Sequence, residues 1–410
     1  MAFQGARPTL GDAAALGFIS SLGPFAVNAY IPGFHAMAAD FGADFVAVEQ
    51  TMTIYLVTYA VSCLFAGTIS DAVGRKPAMA GGMLIFAAAS IGALLSTSLL
   101  ALYFWRFVQG IGASVGQVVS QAMVRDCWSG LNAAGMNGMI AVFFALAPAF
   151  APVIGGWIVV HAGWHGVFAL LALYSCLIAL YTLFGLPETL PRERRTPFAP
   201  MAVLGGYRRC FGNAAFMAGA VSHGLCFMGG ILYTAGAADF VISIMGFGVD
   251  DFAALAFPLV GTSLIGATCS AALAGRLGHR AALALCCALM IAPQAAMTLV
   301  DLNDPPAWPL ILTGPVLYWL GMSLARPVMM AMNLDYFARS RGMAASIQQF
   351  FATGSFSICP LLWVPLVLGE AWRYSAVSGL CGLAAAVLWL VSLRLRPRAL
   401  AAAGETETMR

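Results

Sequence analysis

The chain is 410 residues long, 61% hydrophobic and only 9% charged, with a formal net charge of +3. Soluble domains carry about 25% charged residues, so a water-soluble fold would be short of surface, and so small a charge argues against nucleic-acid binding. The apolar runs are continuous, roughly 20 residues long and free of dyad alternation, which predicts an all-α integral membrane protein rather than a β-barrel.

Breaks at Gly, Pro and charge clusters divide the chain into about twelve spans. A short cytoplasmic N-terminus (1–10) carries Arg7 and no cleavable signal peptide. Six spans follow, near 11–33, 46–69, 78–97, 99–124, 135–160 and 165–186, forming an N-terminal half over 11–186. The hydrophilic stretch 187–212, opening "PETLPRERRTPFAP", reads as a cytoplasmic central loop. A second half over 213–395 has spans near 213–238, 251–274, 281–300, 308–334, 342–368 and 371–395, and a cytoplasmic tail occupies 396–410.

Charge placement supports this count. Of the 20 Lys and Arg residues, all but Arg106, Arg326 and Arg373 fall on one side, and Asp40, Asp44, Asp250, Asp251, Asp301, Asp304 and Glu370 fall on the other. Positive loops resist translocation, so both termini are expected inside. "GTISDAVGRK" (67–76) after span two is echoed by "AALAGRLGHR" (271–280) after span eight. That points to two related six-helix halves.

In chain order, span one closes on "NAYIPGF" (28–34). "GTISDAVGRKP" (67–77) places Gly74 where a tight turn needs positive φ, Pro77 where a helix can begin, and Asp71 within reach of Arg75 or Lys76. Span four carries "RFVQGIGAS" (106–114), continuing to "AMVRD" (122–126) at its inner end, where Asp126 is read as pairing with Arg125. Span five carries "LAPAFAPVIGGW" (146–157), whose Pro148 and Pro152 bend a helix and whose Gly155 and Gly156 admit close neighbours.

Together these motifs resemble the major facilitator superfamily, and most closely its Bcr/CflA drug:proton antiporter branch. The resemblance implies the twelve-helix fold in two pseudo-symmetric halves that rock about a central site. It further implies that the loop with Gly67, Asp71, Gly74, Arg75 and Lys76 latches one conformational state. Arg106 would face the cavity and assist proton transfer, and the bent span five (Pro148, Pro152, Gly155, Gly156) would belong to an exporter. One departure matters. The branch carries an acid late in span one, in a D-x-Y-x-P setting, whereas this chain has Asn28 in "NAYIP", and an amide cannot carry a proton near neutral pH.

No carboxylate replaces it at depth: Asp12 starts span one, Asp239 lies at the outer end of span seven, and Asp335 ends span ten. The deep ionisable groups are Arg106, Arg326 and His223. His223 is the candidate for proton coupling, because imidazole titrates near neutrality, with a neutral interhelical histidine as the alternative. Two cations without a deep acid suggest that the cargo supplies the anion. For Arg326 the alternative is capping of backbone carbonyls beside Pro327. Asn28, Tyr30, Tyr55, Tyr59, Gln117, Tyr233, Asn333, Gln348 and Gln349 could line the same cavity.

The ten cysteines and five histidines show no metal-ligand spacing, so no metal and no cofactor is expected. The expected function is proton-coupled export of a small, anionic or zwitterionic molecule, drug-like or siderophore-like, across a bacterial inner membrane by a monomer. Proton-coupled import of an organic anion or metal chelate is the alternative. An integral-membrane enzyme is the remote one, since no nucleophile or acid/base constellation is present.

Overall fold

The computed structural model describes residues 9–128, 130–195, 200–237, 239–247, 253–302, 307–337 and 341–408. Every regular element among them is helical. The chain divides into two units, Met1–Val203 and Leu204–Arg410, so the division falls inside the stretch expected as the central loop.

In the first unit, α1 (Leu10–Asn28) opens with a capping box in which Thr9 Oγ1 and the Asp12 carboxylate satisfy each other's backbone N–H groups. Asp12 is therefore a helix cap. The chain breaks at Ile31–Gly33, where Pro32 interrupts the ladder, and resumes as α2 (Phe34–Phe41). Helices α3 (Phe45–Val73) and α4 (Arg75–Leu94) meet at Gly74, whose φ of 106° suits a residue without Cβ. Helix α5 (Leu99–Cys127) is capped by Ser98. Spans five and six are merged in α6 (Gly130–Phe184), but Gly163, at φ 70° and ψ 175°, breaks it into two legs where the sequence places a connection. Helix α7 (Pro200–Gly212) fills the second part of the expected loop.

The second unit begins with α8 (Ala214–Ala235), capped by Asn213 and followed by a π-helical turn at Asp239–Ile244. Helices α9 (Ala253–Leu277) and α10 (His279–Asp301) meet at Gly278, again at positive φ, and α11 (Thr313–Leu334) contains Pro327. Helix α12 (Arg341–Ile358) passes through a π-helical stretch, Cys359–Trp363, into the short α13 (Val364–Val367). Helix α14 (Ala371–Thr408) runs on through most of the segment expected as a tail. Eight segments are individually long and apolar enough to cross a bilayer. With α5, the first leg of α6, α11 and α12, the twelve-helix layout is complete.

Small residues set the spacing. A Cβ at Gly112 would meet the backbone of α4 at Gly82 and Phe86, and one at Gly155 would overlap the Ala29 carbonyl. Buried hydroxyls then tie helices together through backbone oxygens. From α14, Ser392 donates to Ala215 O at 2.7 Å and Ser378 to Gly229 O at 2.8 Å. Ser222 of α8 returns a bond to Ala385 O at 2.6 Å, and Ser355 of α12 donates to Gly224 O at 2.8 Å. Each such bond contributes about 0.6 kcal/mol in a membrane bundle, so α8 is held from both sides. Outward positions such as Leu100, Val160, Phe184 and Leu299 are exposed and apolar in both units, as a lipid solvent requires.

Candidate functional site

Among the described residues, each unit holds a guanidinium away from the ends of an apolar helix: Arg106 in the first and Arg326 in the second. Arg106, two turns into α5, has 0% exposure. Its guanidinium carbon lies 4.3 Å from the Tyr30 ring centre and 4.2 Å from that of Tyr55. Nη1 donates to Gln109 Oε1 at 2.5 Å, Gln109 Nε2 donates to Ser90 Oγ at 2.7 Å, and Ser90 donates to Phe86 O at 2.8 Å. Nε and Nη2 make no hydrogen bond of normal geometry, the Tyr30 hydroxyl offering them a looser polar approach. A buried guanidinium costs several kcal/mol. Two cation–π contacts at about 2 kcal/mol each and one amide acceptor offset that only in part.

The tyrosines are themselves fixed. Tyr30 shares a hydrogen bond with Thr51 at 3.1 Å, and Tyr55 donates to Gly23 O at 3.1 Å. One turn on, Tyr59 stacks on Tyr55 and donates to Gln117. Tyr30 stands just before the break at Ile31–Gly33, and Gly155 of α6 packs against the carbonyl of its neighbour Ala29. The first leg of α6 thus packs against the backbone that carries Tyr30.

Arg326 sits in α11 and is half-buried. Its guanidinium carbon lies 4.3 Å from the Phe227 ring centre, and its Nε donates to His223 Nε2 at 3.4 Å. His223 and Phe227 are one turn apart on α8, so a single helix face presents both. His223 also lies against the Gln348 backbone, in a looser polar approach that leaves Nδ1 without a hydrogen bond meeting normal geometry. Gln348, at 1% exposure on α12, has neither amide atom partnered. Among the described residues, the contacts of Arg326 are thus with an aromatic ring and an imidazole. Among the described residues neither Arg106 nor Arg326 forms a salt bridge.

The α3–α4 turn holds a dense polar cluster. Arg75 is buried and bridges Asp71 at 2.5 Å and Asp126 at 2.8 Å, while its Nη1 donates to Ser70 at 2.6 Å. The Glu188 carboxylate accepts from the first N–H groups of α4, at 2.9 Å from Arg75 N and 3.4 Å from Lys76 N, and binds Arg195 at 3.2 Å. A Cβ at Gly74 would strike both Glu188 and Arg195.

The family model of the Major Facilitator Superfamily matches residues 14–325. The chain belongs to the major facilitator superfamily. It is 30% identical to the MFS-type transporter YdgK of Bacillus subtilis, over 78% of this chain and 80% of that protein. A bicyclomycin resistance protein homolog of Haemophilus influenzae is 27% identical over 72% of this chain and 74% of its own length. The multidrug transporter MdfA of Edwardsiella piscicida is 27% identical over 90% and 89%. Among solved structures, the human organic anion transporter MFSD10 (TETRAN) superposes with a TM-score of 0.69 at 18% identity, covering 92% of this chain and 98% of that one. At that identity the likeness is one of fold. The protein is a multi-pass membrane transporter and not an enzyme.

Against this facilitator frame the expected residues separate into groups. Arg106, Tyr30, Tyr55, Tyr59 and Gln117 come together in the first unit, and Arg326, His223 and Gln348 in the second. Asn28 spends its amide on Pro24 O at 2.7 Å. Tyr233 belongs to a separate aromatic core, donating to Gln294 at 3.0 Å and stacking on Tyr374 at 5.7 Å. Asn333 donates to Phe216 O at 3.2 Å and Gln349 to Thr353 at 3.0 Å. Pro152 lies half-buried in α6, and the side chain of Pro148 lies outside the described ones.

The structure corrects one pairing: Asp126 binds Arg75 rather than Arg125. It also adds Gln109, Ser90, Phe227 and Glu188. Gln109 was detectable in principle, being three residues from Arg106 on one helix face.

Proposed function

We propose that the protein is a proton-coupled exporter of a small organic molecule bearing a carboxylate, working across the bacterial inner membrane with both termini inside. Alternating access is the mechanism of its fold. The observation that carries the reading is the lack of any carboxylate on Arg106 or Arg326 among the described residues. A guanidinium in low dielectric binds a carboxylate best, and bidentately. Arg326, the less enclosed of the two, is the group that meets the cargo, and Phe227 and Gln348 supply an apolar wall and an amide. Arg106 holds Tyr30 and Tyr55 in place beside the break in α1. Export is supported by the multidrug and bicyclomycin-resistance relatives and by the antiporter-like leg of α6. The cluster around Arg75 serves as the conformational latch.

Proton coupling falls to His223. Because Arg326 donates to Nε2, the ring is an acceptor there and carries its single proton on Nδ1. Exchange requires that proton and cargo exclude one another. A zwitterion satisfies this, with its carboxylate on Arg326 and an N–H group on the Nε2 lone pair. A proton arriving at Nε2 removes that acceptor and releases the cargo.

The second reading, import of a plain anion together with a proton, draws on the same pair, since a protonated His223 beside Arg326 would hold an anion more tightly. Transport assays separate the two readings. Inside-out vesicles with an acidic lumen should accumulate the cargo, and binding to purified protein should weaken as pH falls. Uptake confined to right-side-out vesicles, with binding that strengthens on acidification, would establish import instead.

A further inference from the structure

The two units carry the same turn with opposite electrostatics. Gly74 between α3 and α4 has φ 106° and ψ 157°, and Gly278 between α9 and α10 has φ 77° and ψ 155°. Around Gly74 the positive charge is answered from within the chain: Asp71 and Asp126 hold Arg75, and Glu188 accepts from the first N–H groups of α4.

Around Gly278 these acids are missing. In register with "SDAVGRK" (70–76), the second half reads "AGRLGHR" (274–280), so Gly275 stands where Asp71 does and Arg276 where Ala72 does. After span six the chain reads Leu-Pro-Glu (186–188), and after span twelve Arg-Pro-Arg (396–398). The first turn of α10 has no acid and its N-cap makes no side-chain hydrogen bond. Arg276, His279 and Arg280 are exposed. The acid at hand, Asp335, is committed to Arg396 at 3.0 Å.

What lies there instead is a cleft of about 740 Å³, lined by His279, Arg280, Asp335 and Arg396, with Leu277 and Leu393 as apolar walls. An open, basic cleft with an apolar flank, at the ends of membrane spans, has the composition of a site for an anionic headgroup.

We propose that this cleft binds a phosphate-type oxyanion, supplied by the headgroup of an anionic phospholipid, which takes at Gly278 the place that Glu188 and Asp71 fill at Gly74. The apolar walls and the exposed Leu277 favour a lipid over a free ion, because acyl chains can follow the same surface. The ligand would brace the α9–α10 turn from outside, as the chain braces α3–α4 from inside.

The test compares the full chain in nanodiscs of phosphatidylcholine alone with nanodiscs containing phosphatidylglycerol, reading thermal midpoint and lipid retained on native mass spectrometry. Wild type should gain stability with phosphatidylglycerol. The variant Arg280→Gln, which removes a basic side chain from the cleft lining, should retain it about fivefold less. Gly275→Asp, at a position where a Cβ meets open space, should restore an internal acid and lower retention as well. Arg192→Gln/Arg194→Gln, which removes charge elsewhere, should leave retention unchanged. Equal retention by wild type and both cleft variants would overturn the proposal. So would inorganic phosphate alone reproducing the full stabilisation in phosphatidylcholine, since the cleft would then be a free-anion site.

Discussion

The two intramembrane arginines differ in how they are held, and the difference divides their work. Arg106 is fully enclosed, lies between two tyrosine rings that are themselves hydrogen-bonded, and ends a polar chain through Gln109 and Ser90. Arg326 is half-buried, rests on one ring, and touches one titratable neighbour across a long 3.4 Å contact. A side chain fixed from several sides sets the positions of others. One held by a single weak contact can exchange that contact for a ligand. On the proposed function, enclosure suits Arg106 to positioning and Arg326 to binding the cargo.

The strongest way to break this comparison is Arg106→Met. Replacing an incompletely satisfied buried charge by an apolar side chain of similar length is neutral or stabilising in many cores. The thermal midpoint should therefore hold or rise, while transport falls about 100-fold or more for neutral and charged cargos alike. A matched loss of stability and transport would show that Arg106 serves only the fold.

Next in size is Gly155→Val. Its branched side chain would collide with the Ala29 carbonyl and displace the segment carrying Tyr30. Overpacking of this kind costs about 1–3 kcal/mol, visible as a lower midpoint. Cargo binding through Arg326 should survive in the folded fraction. A third and smaller effect comes from His223→Gln, which keeps a hydrogen-bond acceptor but cannot titrate. Cargo affinity at neutral pH should stay within about threefold, and its dependence on pH should vanish. A wild-type pH profile in that variant would remove His223 from coupling.

Particular residues show what local pattern can and cannot carry. The spans, the break at Pro32, the turn at Gly74 and both arginines were legible because each is written in composition or in one residue's backbone needs. Glu188 was not legible as a cap, since it accepts from Arg75 across more than a hundred positions and nothing in "PETL" announces where its carboxylate will point. Asp126 was assigned its sequence neighbour, Arg125, yet successive helix residues face apart, and Arg75 was the cation in reach. Tyr233 looked like a cavity residue because a polar tip in an apolar span invites that reading. Its partner Gln294 and its stacking on Tyr374 are tertiary facts. Helix α7 escaped because its basic, glycine-containing sequence reads as loop.

The most direct measurement is equilibrium binding of a carboxylate-bearing zwitterion and of its methyl ester to purified wild type and Arg326→Ala. The account predicts that wild type binds the free carboxylate about 10- to 100-fold more tightly than the ester, the range expected of one charge-assisted, partly desolvated pair. In Arg326→Ala the two should bind alike. If wild type does not distinguish the acid from its ester, or if the preference persists in Arg326→Ala, the guanidinium is not the cargo's counter-ion.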